Sequence, residues 1–191
     1  GLWPHEPIDF KGKTVGVIGT GSSGIQTIPE VAKQAAHLFV FQRTPAFSLP
    51  AGNRPLNEAE VQEIKQNYAD LRKRARVSPT GMASDPLPTQ SALRVTPQER
   101  EMAYEFRWQA GGTAFTRTYK DIMLVAESND TAADFARRKI QLRVSDPKVA
   151  EKLTPRDIHI GTKRLCLDTE YFETFNRGNV SLVDIRSTPI E

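Results

Sequence analysis

Three glycines stand at the spacing that phosphate recognition requires. Gly19, Gly21 and Gly24 form G-x-G-x-x-G within "TVGVIGTGSSGIQTI", with Thr20, Ser22 and Ser23 between them. A first glycine permits a tight turn, a second lets bare backbone approach a pyrophosphate, and a third lets helix and strand pack closely. The helix that follows would present free N–H groups and a partial positive charge to the phosphates. Ser22 and Ser23 add hydroxyl donors. The loop is not a P-loop, because no Gly-Lys-Ser/Thr follows it. Nor does "GTGSSG" match the G-x-S-x-G of a hydrolase nucleophile. The residues point to a dinucleotide, with a bare structural turn as the competing reading.

The identity of that dinucleotide turns on the second strand. A site for NAD or FAD places an Asp or Glu about 20 residues on, where it accepts from the ribose 2′-OH. That place holds Gln42-Arg43-Thr44, and no acidic residue stands between Glu30 and Glu58. Arg43 can pair bidentately with a 2′-phosphate and stack on adenine, and the Thr44 hydroxyl can add a hydrogen bond. NADP(H) is therefore expected over NAD(H). The alternative for Arg43 is a surface arginine at a strand end.

Those residues need a βαβ unit to hold them. "KTVGVIGTG" reads as a short buried strand. The stretch after it places Ile25, Ile28 and Ala32 on one helix face, with Pro29 about one turn in. "HLFVFQR" (37–43) reads as a second strand, apolar on both faces, which predicts a parallel sheet covered by helices. From Thr44 to Arg54 the chain is loop-like. Helices are then expected from the capping boxes at Asn57/Glu60 and Thr96-Pro97-Gln98-Glu99. The first continues through Val61, Ile64, Tyr68, Leu71 and Ala75; the second reaches Gln109, before Gly111-Gly112. Further helices are expected over 131–144 and from Asp146-Pro147 to Pro155, with 77–95 as loop. "KRLCLD" holds a short strand, "TEYFETFNR" a helix capped by Asp168 and stopped at Gly178, and "NVSLVDI" a third strand. The expected fold class is α/β, a Rossmann-like parallel sheet with a large helical insertion. Residues 1–54 form the first part of the nucleotide domain, 55–155 the insertion, and 156–191 the remainder.

Bulk composition excludes several classes. The 191 residues carry 26 basic and 23 acidic side chains, a net charge of +3, too balanced to argue for nucleic acid or a membrane surface. No apolar run approaches the roughly 20 residues of a membrane span, and "GLWPHEPIDF" is no signal peptide. The single cysteine, Cys166, excludes an internal disulfide and fits a reducing cytoplasm; it is expected to serve packing. His5, His37 and His159 show no metal-ligand spacing. Met102, Phe106 and Trp108 lie on a helix, where core packing is expected over substrate contact. The chain has no initiator Met, which fits a piece of something longer.

Taken together, "LWP", "GKTVGVIGTGSSGIQ", "VFQRTPAFSLPAGNRP" and "GTKRLCLDTEYFETFNRGNVSLVDIRSTPIE" resemble the flavin-dependent Baeyer–Villiger monooxygenases of the cyclohexanone and phenylacetone type. Trp3-Pro4 looks like the tail of that family's signature. The resemblance implies that Gly19, Gly21, Ser22, Ser23 and Gly24 cradle the NADPH pyrophosphate. It implies that Arg43, Thr44 and Lys163 hold the 2′-phosphate, and that Arg164 is the active-site arginine, facing the flavin and stabilising negative charge during the oxygen chemistry. By themselves Lys163-Arg164 are two adjacent basic residues, whose usual fate is a solvated surface. With one glycine fingerprint, the chain looks like the NADPH-binding domain, partnered in the same polypeptide by an FAD-binding domain that is absent here. Ketone and O2 would be the full enzyme's substrates, and the piece alone is expected to bind NADP(H) without turnover. The alternatives are a domain of an N- or S-oxidising flavin monooxygenase and a non-catalytic NADP(H)-binding module. A plain NADP dehydrogenase is disfavoured, because no Tyr-x-x-x-Lys relay is present.

Overall fold

A computed structural model describes residues 4–78, 81–83, 87–187 and 189–191; Trp3 lies outside them. The βαβ unit is present as β1 (Thr14–Ile18), α1 (Ser22–Ala32) and β2 (His37–Gln42). β1 pairs in parallel with β2, Val15 opposite Leu38 and Val17 opposite Val40. β2 pairs in parallel with β5 (Val180–Asp184), so the sheet order is β1-β2-β5. Ile25, Ile28, Val31 and Ala32 of α1 are buried against the face carrying Leu38 and Val40. Pro29 is the eighth residue of α1, deeper than expected, and the helix ends one turn later.

The sheet departs from expectation on its other face. Ile18 is 72% exposed and Phe39 is 37% exposed, so no helix among the described residues covers that side. Crossover handedness gives the reason. Both steps, β1 to β2 and β2 to β5, run the same way across the sheet, and right-handed crossovers then place both connections on one face.

A second, two-stranded parallel sheet pairs β3 (Ser48–Pro50) with β4 (Cys166–Asp168). β3 falls where loop was expected. Its partner lies more than 100 residues away, and buried Ser48 Oγ donates to Cys166 O at 3.2 Å. Just beyond β3 the backbone of Gly52 crosses that of Gly111 at the end of α4 (Pro97–Ala110). Both glycines have positive φ, and a Cβ on Gly111 would lie 2.8 Å from Gly52 N. Two backbones can meet there only because neither carries a side chain.

Both capping boxes form, at Asn57/Glu60 for α2 (Glu58–Gln66) and at Thr96/Glu99 for α4. The first box does not open one long helix. α2 stops at Asn67, whose φ of −99° and ψ of 11° leave the helical region, and α3 (Tyr68–Val77) begins after it. Neither helix buries a residue, so the stripe from Val61 to Ala75 is not core. In α4 only Tyr104 and Trp108 turn inward; Met102 and Phe106 are exposed, contrary to expectation. Tyr104 and Trp108 pack with Phe115 and with Phe135 of α5 (Ala126–Arg143), ring centroids 5.4–5.8 Å apart. Burial pushes the Tyr104 hydroxyl up to about 12, and it meets Thr131 Oγ1 at 2.7 Å.

α5 starts five residues before the expected Thr131, because Ser128 and Asn129 are buried inside its first turns. α6 (Pro147–Leu153) is capped by Asp146 as its sequence suggests. α7 is only Tyr171–Thr174; its N-cap is Glu170 with φ of 60°, not Asp168, and Gly178 lies beyond its end. Asp168 closes β4 and serves another purpose. Its fully buried carboxylate accepts from Arg143 Nη2 at 2.6 Å, while Arg143 also pairs with Glu173 at 2.6 Å and lies 4.9 Å over the Phe172 ring. Cys166 is free and buried, in a packing position.

Arg143 thus ties the end of α5 to β4 and α7. Removing one partner of a buried pair typically costs about 3–5 kcal/mol, since the other charge stays buried. Arg143→Ala should lower the unfolding free energy in urea by about 3 kcal/mol; a loss under about 1 kcal/mol would show that the pair is dispensable.

Candidate functional site

The glycine loop sits where β1 gives way to α1. Gly19 has φ of +101°, and its N–H donates to Phe41 O at 2.9 Å, so the loop is stitched to the end of β2. Gly24 is required by packing: a Cβ there would lie 2.3 Å from Gly19 O. Gly21 is different. It is the N-cap of α1 with an ordinary negative φ, and a Cβ added to it would meet nothing within 4 Å. Neither conformation nor internal packing asks for glycine at 21. What a missing side chain leaves there is open approach to backbone at a helix N-terminus.

That N-terminus is electrostatically bare. α2, α4 and α6 are capped by Asn57, Thr96 and Asp146, whereas α1 has no side-chain cap and no acidic residue in its first turn. The first N–H that bonds back along the chain is that of Ile25, to Gly21 O at 2.9 Å. The partial positive charge of α1 therefore points outward uncompensated.

Around it lies a hollow of about 330 Å³ with Gly19, Thr20, Gly21, Arg43, Thr44 and Lys163 among its walls. No carboxylate of the described residues lines it. Arg43 and Lys163 are exposed, and neither side chain has a hydrogen bond or ion pair with another described residue. Thr20 is buried, its hydroxyl 3.4 Å from both Gln42 Oε1 and Thr44 O, so it contributes backbone and fixes the end of β2. Gln42 is also buried and donates to Lys152 O at 2.7 Å.

The remaining expected residues lie elsewhere. Ser22, Ser23, Gly24 and Arg164 are not among the walls of the hollow. Ser22 Oγ lies 3.4 Å from Cys166 Sγ, turned toward β4. Arg164 is exposed beside Lys163 in sequence, and its main-chain oxygen accepts from Cys166 Sγ at 3.6 Å.

Lys163 is brought to the hollow by residues whose role the sequence does not show. Asn129, 6% exposed, donates from Nδ2 to Ile122 O at 2.9 Å and to Ile160 O at 2.8 Å, and accepts from Ile160 N–H at 2.9 Å. Arg137 Nε donates to Pro155 O at 2.7 Å. Two side chains of α5 thus hold the segment that precedes Lys163. The sequence does not single out Asn129, which stands two residues before the expected helix start at Thr131.

No protein-family model matches the chain. It is 41% identical over 196 residues to a 2-oxo-Δ3-4,5,5-trimethylcyclopentenylacetyl-CoA monooxygenase of Pseudomonas putida, covering 99% of the chain and 36% of that protein. It is 42% identical to a cyclohexanone 1,2-monooxygenase of Acinetobacter sp., covering 98% and 34%. Among solved structures, an oxidized steroid monooxygenase bound to NADP superposes with a TM-score of 0.93 at 53% identity, covering 98% of this chain and 36% of that one. This chain is homologous to a segment of the Baeyer–Villiger monooxygenases. It spans about a third of the length of these relatives. A cyclohexanone monooxygenase variant from Rhodococcus sp. Phi1 bound to NADP+ gives a TM-score of 0.92 at 37% identity, over 99% of this chain. The Baeyer–Villiger likeness therefore includes the helical residues as well as the βαβ unit.

The two loop glycines should respond differently to one methyl group. Gly21→Ala should change unfolding stability by no more than about 1 kcal/mol. Gly24→Ala, which drives a Cβ into the Gly19 carbonyl, should cost about 2 kcal/mol. Equal effects in parallel denaturant titrations would contradict the packing role of Gly24.

Proposed function

We propose that the hollow at the ends of β1 and β2 binds NADPH. The observation that carries the reading is the meeting of the glycine loop, Arg43, Thr44 and Lys163 in one hollow without a carboxylate. The pyrophosphate would lie against Gly19–Gly21 and the first N–H groups of α1, where Gly21 leaves room. Arg43 and Lys163 would neutralise the 2′-phosphate, and Thr44 would add a hydroxyl. Such contacts are charge-assisted, stronger than neutral hydrogen bonds, and have no counterpart in NADH. Ser22 and Ser23 would contribute through their main-chain N–H groups, and Gly24 through packing.

By its likeness to the Baeyer–Villiger monooxygenases, the whole protein is proposed to convert a ketone to an ester or lactone with O2 and NADPH. FAD, bound by a partner domain of the same polypeptide outside these residues, would supply the oxygen chemistry. This chain's own part is to hold and orient the reductant, with residues 55–155 as an insertion in the nucleotide domain. Arg164 fits an outward-facing role. Its exposed guanidinium is not spent on the hollow, and its charge persists at any working pH, so it would stabilise negative charge at the facing flavin site. Without that site the chain would bind nucleotide and not turn over. No helix among the described residues is long and apolar enough to cross a membrane, and the lone buried cysteine suits a cytoplasmic setting.

A second reading has its own support. The chain is 40% identical to a phenazine N-monooxygenase of Lysobacter antibioticus, covering all of the chain and 35% of that protein. Nitrogen oxidation by the whole protein is therefore the alternative, and incubating it with a cyclic ketone and with an N-heteroaromatic compound separates the two by product.

The binding experiment is calorimetry with NADPH and NADH. NADPH should bind at least tenfold more tightly, and Arg43→Ala should remove most of that ratio while leaving NADH within about twofold. Equal affinities in the wild type would refute the reading.

A further inference from the structure

We infer that Arg186 is a further specificity residue for the 2′-phosphate, an inference that rests on the NADPH reading of the hollow. Sheet register brings it there. Gln42 pairs with Asp184, and Ile185 N–H donates to Gln42 O at 3.0 Å, so the chain leaving β5 runs beside the chain leaving β2. Arg186 is thereby set against Thr44, and its Nη2 donates to Thr44 Oγ1 at 3.2 Å. The hydroxyl proposed to meet the phosphate already touches a second guanidinium.

That guanidinium is available. A second hollow, of about 300 Å³, shares Arg43 and Thr44 as walls and also includes Arg156 and Arg186, together with the carboxylates Glu151, Asp157 and Asp184. Arg156 is committed to Glu151, with contacts of 2.6 and 3.0 Å. Arg186 is half-exposed, and its carboxylate neighbour is Asp157, at 3.9 Å and itself 84% exposed. Asp184 accepts from the Arg186 main-chain N–H, not from its side chain. A five-donor fork with one 3.2 Å bond and one loose ion pair keeps donors for a phosphate monoester. Arg43 and Thr44 are walls of both hollows, with Lys163 in the first and Arg186 in the second, so an anion held at Arg43 and Thr44 would lie between the two further cations. A phosphate dianion gains more from three cations than from two, and a ligand lacking it gains nothing from the third.

The probes are adenosine 2′,5′-bisphosphate and adenosine 5′-monophosphate, which differ only in the 2′-phosphate. Arg186→Ala should weaken the bisphosphate at least fivefold and the monophosphate less than twofold, and Arg186→Lys should recover part of the loss. Unchanged bisphosphate affinity, or equal losses for both ligands, would overturn the role of Arg186. Arg43→Ala separates this failure from that of the NADPH reading. If Arg43→Ala discriminates between the ligands and Arg186→Ala does not, only this inference falls. If wild type itself does not distinguish them, both fall.

Discussion

The contact of Gly24 with the Gly19 carbonyl is the constraint on which the site depends. Because no side chain stands at 24, α1 seats directly on the end of β1. That close approach fixes where the helix N-terminus points. It points at the mouth formed by the ends of the strands, and nothing in its first turn offsets its charge. Cations are then delivered to the same place by separate routes: Arg43 from the end of β2, Lys163 from the segment held by α5. Accumulating positive charge without carboxylates costs stability through self-repulsion. The arrangement makes physical sense when an anion completes it.

The helical part also serves the glycine-loop end. Asn129 and Arg137 spend their polar groups on main chain of the segment before Lys163. Arg143 locks the far end of the same helix onto Asp168 and Glu173. α5 thus spans from the β3-β4 sheet to the Lys163 segment, with its inner face packed on the aromatic cluster around Tyr104 and Phe135. The exposed Phe39 and Ile18, on the sheet face opposite α1, take no part in that core.

Much of this was legible in sequence, and the pattern of misses is physical. The βαβ unit, the core face of α1 and the capping boxes depend on neighbours within a few residues, and each is present. The meeting of the glycine loop with Arg43 followed from the geometry of that unit; the meeting with Lys163 came through family resemblance alone. What could not be read were features set by distant partners. β3 exists because Cys166–Asp168 lies beside it, and Asp168 resembles a helix cap until Arg143 is placed against it. The role of Asn129 is not visible in sequence because its three bonds go to Ile122 and Ile160. The apolar stripe of α2 and α3 misled for the opposite reason: its period is right, but nothing described packs on it.

The most direct test of the central claim is the 31P resonance of the 2′-phosphate of NADP+ followed against pH, free and bound. A monoester of this kind loses its second proton near pH 6, and facing cations favour the dianion. Bound to this protein, the 2′-phosphate should titrate at distinctly lower pH than in free NADP+, with its shift lost in Arg43→Ala. A bound 2′-phosphate that titrates as it does in solution would contradict the claim that these cations hold it.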